Sequence, residues 1–226
     1  MEINDKNLWE HHYSENLNYV PKWPDNFAIK FFGRMAKNIK LKSKKTLDLG
    51  CGGGKDLILI EKMGMEGYGI DISENAIKFA NQYTKEWNIN AEIKLYDGIE
   101  IPYPNEYFDF IISLGVLDHM KFSDSLLLID EAYRVLKTKG FLCLSLHSMR
   151  DSNYKIGKEI DKNNFIIEKG NFELGLTQHY YDEKEIKKLL ENFKIEKVFL
   201  EEEISYNLQN KSQVGKSSFW VVYAQK

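Results

Sequence analysis

Two apolar periods alternate along the middle of this chain. Between Lys45 and Leu146, short apolar runs are separated by segments whose apolar residues fall three and four apart. The first spacing predicts buried strands and the second predicts helices that each turn one face inward. Strands are predicted at Lys45 to Leu49, Glu66 to Asp71, Ala91 to Tyr96, Phe108 to Leu114 and Phe141 to Leu146. The Phe108 to Leu114 run is unbroken, as a parallel strand covered on both faces requires. Leu57, Ile58, Ile60 and Met63 mark the first intervening helix. Ser73 caps the next, with Ala76, Ile77, Ala80, Tyr83 and Trp87 as its buried stripe. Ser123 to Leu136 supplies a third. Strand and helix in strict alternation predict a doubly wound parallel sheet, with ligands bound at the carboxyl ends of its strands.

The flanks follow other patterns. Before the core, Leu8, Trp9 and His12 share a short helical face, Pro21 and Pro24 interrupt the chain, and Asn26 to Ile39 reads as a helix with Phe27, Phe31 and Met35 on one stripe. Aromatic residues are dense there, Tyr13, Tyr19 and Trp23 among them, so residues 1–40 serve either as a packing arm or as a lid over a ligand. Ser148 to Gln178 is polar and irregular, with a short hairpin expected at Phe165 to Leu174; it leaves the fifth strand on the ligand side. Asp182 and Glu185 form a capping-box pair at the start of a helix to Phe193. Two strands, Ile195 to Glu202 and Ser217 to Gln225, close the chain across a polar loop. One domain over residues 1–226 is expected, divided into the arm (1–40), a core at 45–147, an insertion at 148–180 and a C-terminal helix with its strand pair at 181–226.

The chemistry concentrates where the first strand ends. Asp48-Leu49-Gly50-Cys51-Gly52-Gly53-Gly54 is a strand breaking into a glycine turn, followed by a helix whose first N–H groups are free. A dinucleotide fingerprint needs glycine where Lys55 stands, and a phosphate-binding P-loop needs residues other than Leu49 and Asp56 at its ends. Asp48 would repel a pyrophosphate but suits an ammonium or sulfonium group. Asp71 ends the second strand about twenty residues after the loop, the separation at which a strand-end acid accepts ribose hydroxyls.

These residues, followed by Gly69-Ile70-Asp71-Ile72-Ser73, resemble the first two motifs of class I S-adenosylmethionine-dependent methyltransferases. The resemblance implies a Rossmann-like, mostly parallel seven-stranded sheet ending in an antiparallel pair. It implies S-adenosyl-L-methionine as cofactor, with Asp71 on the ribose, Ile72 against the adenine, and Asp97-Gly98 reading the adenine edge. It also implies that Gly50 and Gly52 admit the methionine part, while Asp48 and the Leu114 carbonyl meet its ammonium. Tyr13 is the arm residue expected to touch the cofactor. Asp48, Asp71 and Asp97 should then line one cleft.

The family has no universal catalytic residue, because transfer removes the sulfonium charge and positioning carries most of the rate. Candidates are therefore read from the strand ends. Asp118-His119 follows the fourth strand, and a histidine there can take the proton of a hydroxyl acceptor. His147 ends the fifth strand and His179 follows the insertion. The Asn/Asp-Pro-Pro-aromatic motif of base-amine methyltransferases is absent; Ser113-Leu114-Gly115-Val116 stands there. Short pieces around Val116 to Met120, Leu144 to Ser148 and Gln178 to Tyr181 are similar to bacterial small-molecule and cell-surface-sugar methyltransferases.

Composition narrows the classes little further. The chain has 226 residues, 43% hydrophobic and 29% charged, with a formal charge of −3, which argues against a dedicated nucleic-acid binder. Two cysteines far apart and the lack of a membrane-length apolar run or signal-like N-terminus favour a reducing cytoplasm. No metal-ligating spacing is present. The expected activity is methyl transfer to a hydroxyl of a small-molecule acceptor, with sugars among the candidates. The alternatives are a non-catalytic S-adenosylmethionine-binding protein and a nicotinamide-dependent oxidoreductase.

Overall fold

The computed structural model of the protein describes residues 3–15, 21–168, 173–207 and 212–226. Tyr19 and Gly170 lie outside the described residues, as does part of the hairpin expected at Phe165 to Leu174. Seven strands form the main sheet: β1 (Lys45–Leu49), β2 (Glu66–Asp71), β3 (Glu92–Leu95), β4 (Phe108–Leu114), β5 (Leu136–His147), β9 (Lys194–Asn207) and β10 (Ser212–Gln225). Their spatial order is β3-β2-β1-β4-β5-β10-β9. The first five are parallel, and β10 runs antiparallel to both β5 and β9. Strand order reverses between β1 and β4, so the crevice of an open α/β sheet falls beside the glycine turn that ends β1.

The apolar runs are buried on both faces because successive side chains alternate. Phe110 and Ile112 of β4 enter one core with Phe31, Phe32 and Met35 of α2 (Asn26–Met35) and Leu57 and Ile60 of α3 (Lys55–Lys62). Ile111 enters the other, with Leu128, Ile129 and Ala132 of α5 (Phe122–Val135) and Ile186 and Leu189 of α6 (Glu183–Leu189). Asp182 caps α6 with the reciprocal Glu185 bonds that the sequence predicts. Ser73 caps α4 (Glu74–Glu86), its hydroxyl accepting from the Ala76 N–H. Trp87, expected in that buried stripe, is instead the C-cap and 38% exposed. The helix stops before its spacing can carry the ring inward.

Two stretches differ more widely from expectation. The loop expected between the last strands is paired backbone: β9 and β10 form a ladder reaching Asn207 and Ser212. β9 is an edge strand with mostly exposed side chains, so its residues carry no apolar alternation. The insertion forms a three-stranded sheet of β6 (Lys158–Asp161), β7 (Asn164–Ile166) and β8 (Thr177–His179). β6 and β7 turn at residues 162–163, and β7 pairs with β8 around the expected hairpin, where the Ile167 N–H donates to the Leu176 carbonyl at 2.9 Å. The Lys139-Gly140 turn sits inside β5 as a bulge, with Lys139 at φ 65°. Both cysteines are free and buried, and no helix among the described residues is long and apolar enough to cross a membrane.

The two helices of the N-terminal arm are placed differently. α2 packs on the sheet. α1 (Ile3–Glu15) is fastened to the start of α4, where Glu10 Oε2 accepts from Ser73 Oγ at 2.6 Å and from the Asn75 N–H at 3.2 Å. A carboxylate at a helix N-terminus is favoured by the free N–H groups and the dipole. Glu10→Ala should therefore release α1. Hydrogen exchange across residues 3–15 is expected to rise and cofactor affinity to fall several-fold. The melting temperature should move by no more than about 2–4 °C, since α1 contributes little to either core.

Candidate active site

The carboxyl ends of β1, β2, β4 and β5 open into two adjoining chambers. The smaller is lined by Gly50, Asp71, Ile72, Tyr96, Gly115 and Val116, and the larger, of about 660 Å³, by Asp48, Gly52, Lys55, Leu114, Ser145, His147 and Phe219 among others. Trp9 and Tyr13 of α1, with Gly50, Gly115 and His119, line both.

Gly50 and Gly52 adopt φ of 76° and 49°. A Cβ on Gly50 would meet Val116 Cγ2 at 2.4 Å, and one on Gly52 would meet the Tyr13 hydroxyl at 2.3 Å. The turn therefore needs glycine for its backbone and for the close approach of its neighbours. Asp71 braces it: Oδ2 accepts from the Gly52 N–H at 2.8 Å and Oδ1 from the Ser73 N–H at 3.0 Å. Burial nonetheless pushes the Asp71 carboxyl above its usual range, against those bonds. Asp48 is 4% exposed, and its Oδ2 has no hydrogen-bond partner. Burial, reinforced by Asp56, drives its pKa well up despite Lys55 nearby. A buried carboxylate oxygen without a donor, facing a chamber, is the counterpart of a cationic amine.

Tyr13 lies half-buried over the glycine turn, and burial of its hydroxyl together with Asp71 raises its phenol well above the usual range. It stays a neutral hydroxyl. Lys55, the residue that distinguishes the turn from a dinucleotide loop, reaches Asp56 Oδ2 at 2.5 Å and Asp25 Oδ2 at 3.6 Å.

The histidines separate. His119 Nδ1 lies 2.9 Å from the Thr177 carbonyl. A carbonyl only accepts, so Nδ1 carries the proton, and in the neutral ring Nε2 is the basic nitrogen. The nearest charged group to Nε2 is Glu173 Oε1 at 3.8 Å, beyond hydrogen-bonding reach. Trp9 meets the ring edge-on at 5.0 Å. His147 lines the larger chamber, with Nδ1 3.7 Å from Asp151 Oδ2. Burial would lower its pKa, but Asp118 and Asp151 outweigh that and hold it above the ordinary histidine value.

His179 does not converge on this mouth. It is 1% exposed, stacked on Phe122, with Nε2 3.5 Å from Glu185 Oε2. The capping-box carboxylate draws it into the layer beneath. Asp118 is also turned inward, fully buried, its Oδ1 accepting from the His147 N–H at 2.6 Å. Burial raises its pKa, and the three histidines around it lower it.

Asp97 stands outside both chambers. It is exposed, and its Oδ1 accepts from the Ile99 and Glu100 N–H groups at 2.8 and 2.9 Å. Gly98, at φ 93°, shapes that turn and lines neither chamber. Adjacent side chains leave a strand end in opposite directions, so Tyr96 takes the inward place instead. Tyr96, Val116, Trp9, Glu173 and Phe219 are lining residues the sequence reading passed over. Tyr96 was within reach of it, one position before the acid.

The sequence profile of the methyltransferase domain family matches residues 40–204. The chain belongs to that family. Among curated relatives of this methyltransferase, a demethylmenaquinone methyltransferase of Geobacillus sp. (strain WCH70) is 36% identical over 110 residues, 46% of this chain and 45% of that one. Phosphoethanolamine N-methyltransferase 3 of Arabidopsis thaliana is 34% identical over 98 residues, 43% of this chain and 20% of that one. The chain thus spans less than half the length of these relatives. A solved S-adenosylmethionine-dependent methyltransferase of Methanosarcina mazei shares the fold at a TM-score of 0.72, with 23% identity, covering 85% of this chain and 96% of that one. S-adenosylmethionine is the cofactor of the family, and the residues present fit it: an unpartnered buried carboxylate for the ammonium, a glycine cradle, and an acid with an apolar neighbour at the end of β2.

Proposed function

We propose that this methyltransferase transfers the methyl group of S-adenosylmethionine to a hydroxyl of a small molecule, with His119 as general base. The observation that carries the reading is the His119 tautomer: Nδ1 donates to a backbone carbonyl, which leaves Nε2 as the basic nitrogen of a ring that lines both chambers. When bound, the cofactor supplies an electrophilic methyl group whose departure leaves a neutral thioether. Asp48 and the Leu114 carbonyl hold its ammonium, Asp71 takes its ribose hydroxyls, and Ile72 with Tyr96 flanks the base. Tyr13 and Trp9 close α1 over both ligands and exclude water.

His119 takes the acceptor's proton as its oxygen attacks, and held geometry does the rest. Asp118 is a positioning residue that fixes the end of β5 through the His147 N–H. A sugar hydroxyl fits the larger chamber, which carries polar as well as apolar lining, and relatives named for demethylmenaquinone and phosphoethanolamine support a small-molecule acceptor.

Isothermal titration with S-adenosylmethionine and its demethylated product tests the cofactor half, with micromolar binding of both expected. Absence of binding by the native protein would end the reading. Formation of S-adenosylhomocysteine with an added cell extract would separate an enzyme from a protein that only binds.

A further inference from the structure

The larger chamber continues past His119 to a wall that the cofactor does not need. Glu173 of the insertion and Glu201, Glu202 and Glu203 of β9 line it, together with Phe27, Phe219 and His147. Charge balance on this wall is one-sided. Among the described residues Lys55 is the lysine or arginine that lines the chamber, and Asp56 and Asp25 already hold it. Lys30 neutralises Glu201 at 2.5 Å and Lys216 neutralises Glu202 at 3.1 Å. Glu203 has no cation within ion-pair distance among the described residues, and Glu173 has the His119 ring at 3.8 Å. A second observation comes from His119 itself. It is 4% exposed, its ring lines the same chamber, and its Nε2 makes no hydrogen bond among the described residues. The aromatic rings add a face of matching sign: Phe219 packs 4.3 Å from His147 and 5.9 Å from Phe27, and π-faces attract cations.

We propose that the acceptor is an organic cation, a small molecule bearing a protonated amine beside the hydroxyl that is methylated: an amino alcohol or amino sugar. The inference rests on the reading of this site as a methyl-transfer centre. Glu203 and Glu173 hold the ammonium group, the Phe219 and Phe27 rings flank it, and the hydroxyl is presented to His119 Nε2. The same wall turns away carboxylate and phosphate acceptors: among the described residues its Lys55 is held by Asp56 and Asp25, and its His147 is balanced by Asp118 and Asp151. Ammonium capture at this wall also draws the acceptor from solution by its charge, so the preference weakens as salt screens it.

The test uses the full chain saturated with S-adenosylhomocysteine. That first titration reads the cofactor site alone, and its failure counts against the methyl-transfer reading rather than against this one. The loaded protein is then titrated with glucosamine, N-acetylglucosamine and glucuronate, a ring series that differs in charge, and with ethanolamine, glycerol and glycolate. In each series the cation should bind at least ten-fold tighter than the neutral compound, and the anion weakest. In Glu203→Gln with Glu173→Gln the advantage should fall to within about three-fold, with the affinity for S-adenosylhomocysteine unchanged. Neutral or anionic compounds binding as well as the cations, no binding by any of them, or a preference that survives the double substitution would overturn the proposal.

Discussion

His119→Asn is expected to lower kcat by about two to four orders of magnitude, the range that a positioned general base contributes, while cofactor affinity stays within about three-fold. Asparagine is the informative replacement because its amide nitrogen overlays Nδ1. It keeps the 2.9 Å bond to the Thr177 carbonyl and removes only Nε2. A histidine present merely to tie β8 to the 3₁₀ turn at Leu117–His119 would be served equally well by that amide. Single-turnover formation of S-adenosylhomocysteine, with any acceptor that supports turnover, measures the loss. A kcat within ten-fold of native would remove His119 from the chemistry. Because Trp9 packs edge-on against this ring, Trp9→Ala offers no such separation: it disturbs lid and base together.

How far the sequence reached into this site follows from which forces act locally. The five parallel strands and the glycine turn were legible, because burial on two faces and a tight turn each leave an unmistakable spelling in consecutive residues. Asp48 and Asp71 were legible for the same reason; both are the polar exceptions at the ends of apolar runs. The final antiparallel pair was legible too, but its extension to Asn207 and Ser212 was not, since an edge strand satisfies its backbone by pairing and needs no apolar alternation to do so. Nor was the direction in which a strand-end side chain turns. Tyr96 and Asp97 are neighbours with opposite fates, decided by the parity of β3 and by two N–H groups, from Ile99 and Glu100, waiting for an acceptor. His119 follows β4, His147 ends β5 and His179 ends β8, and side-chain contacts sort them. The Thr177 carbonyl orients His119, Asp118 and Asp151 hold the His147 pKa up, and Glu185 withdraws His179. The Thr177–His119 contact spans 58 residues and the Asp118–His147 contact 29, so spacing in the chain does not announce them.

Asp48→Asn should move stability and affinity in opposite directions. In the cofactor-free protein, burial and the neighbouring Asp56 and Asp71 all disfavour the ionised Asp48 carboxylate, and its pKa in the fold lies well above the unfolded value near 4. A carboxyl whose folded pKa is raised favours the fold while it is protonated. That contribution is complete below the unfolded pKa and is lost as pH rises through the folded one. At pH 7.5 the native residue is thus a liability that asparagine, neutral at every pH, relieves. The free variant is expected to melt higher than the native protein, and the gap should shrink as the pH is lowered toward 4. Cofactor binding reverses the balance. The ammonium needs an ionised partner, so Asp48 must release its proton on binding, and native affinity climbs between pH 4 and its raised pKa before levelling. Losing a charge-assisted bond of about 1.5–3 kcal/mol weakens the variant by roughly ten- to hundred-fold at pH 7.5 and removes that slope. Titration calorimetry in buffers of different ionisation enthalpy reads the released proton directly, and thermal melts across the same pH range read the stability arm. A variant that binds S-adenosylmethionine as tightly as the native protein, with the same proton count, would take Asp48 out of the cofactor's grip and leave its unpartnered oxygen without a ligand.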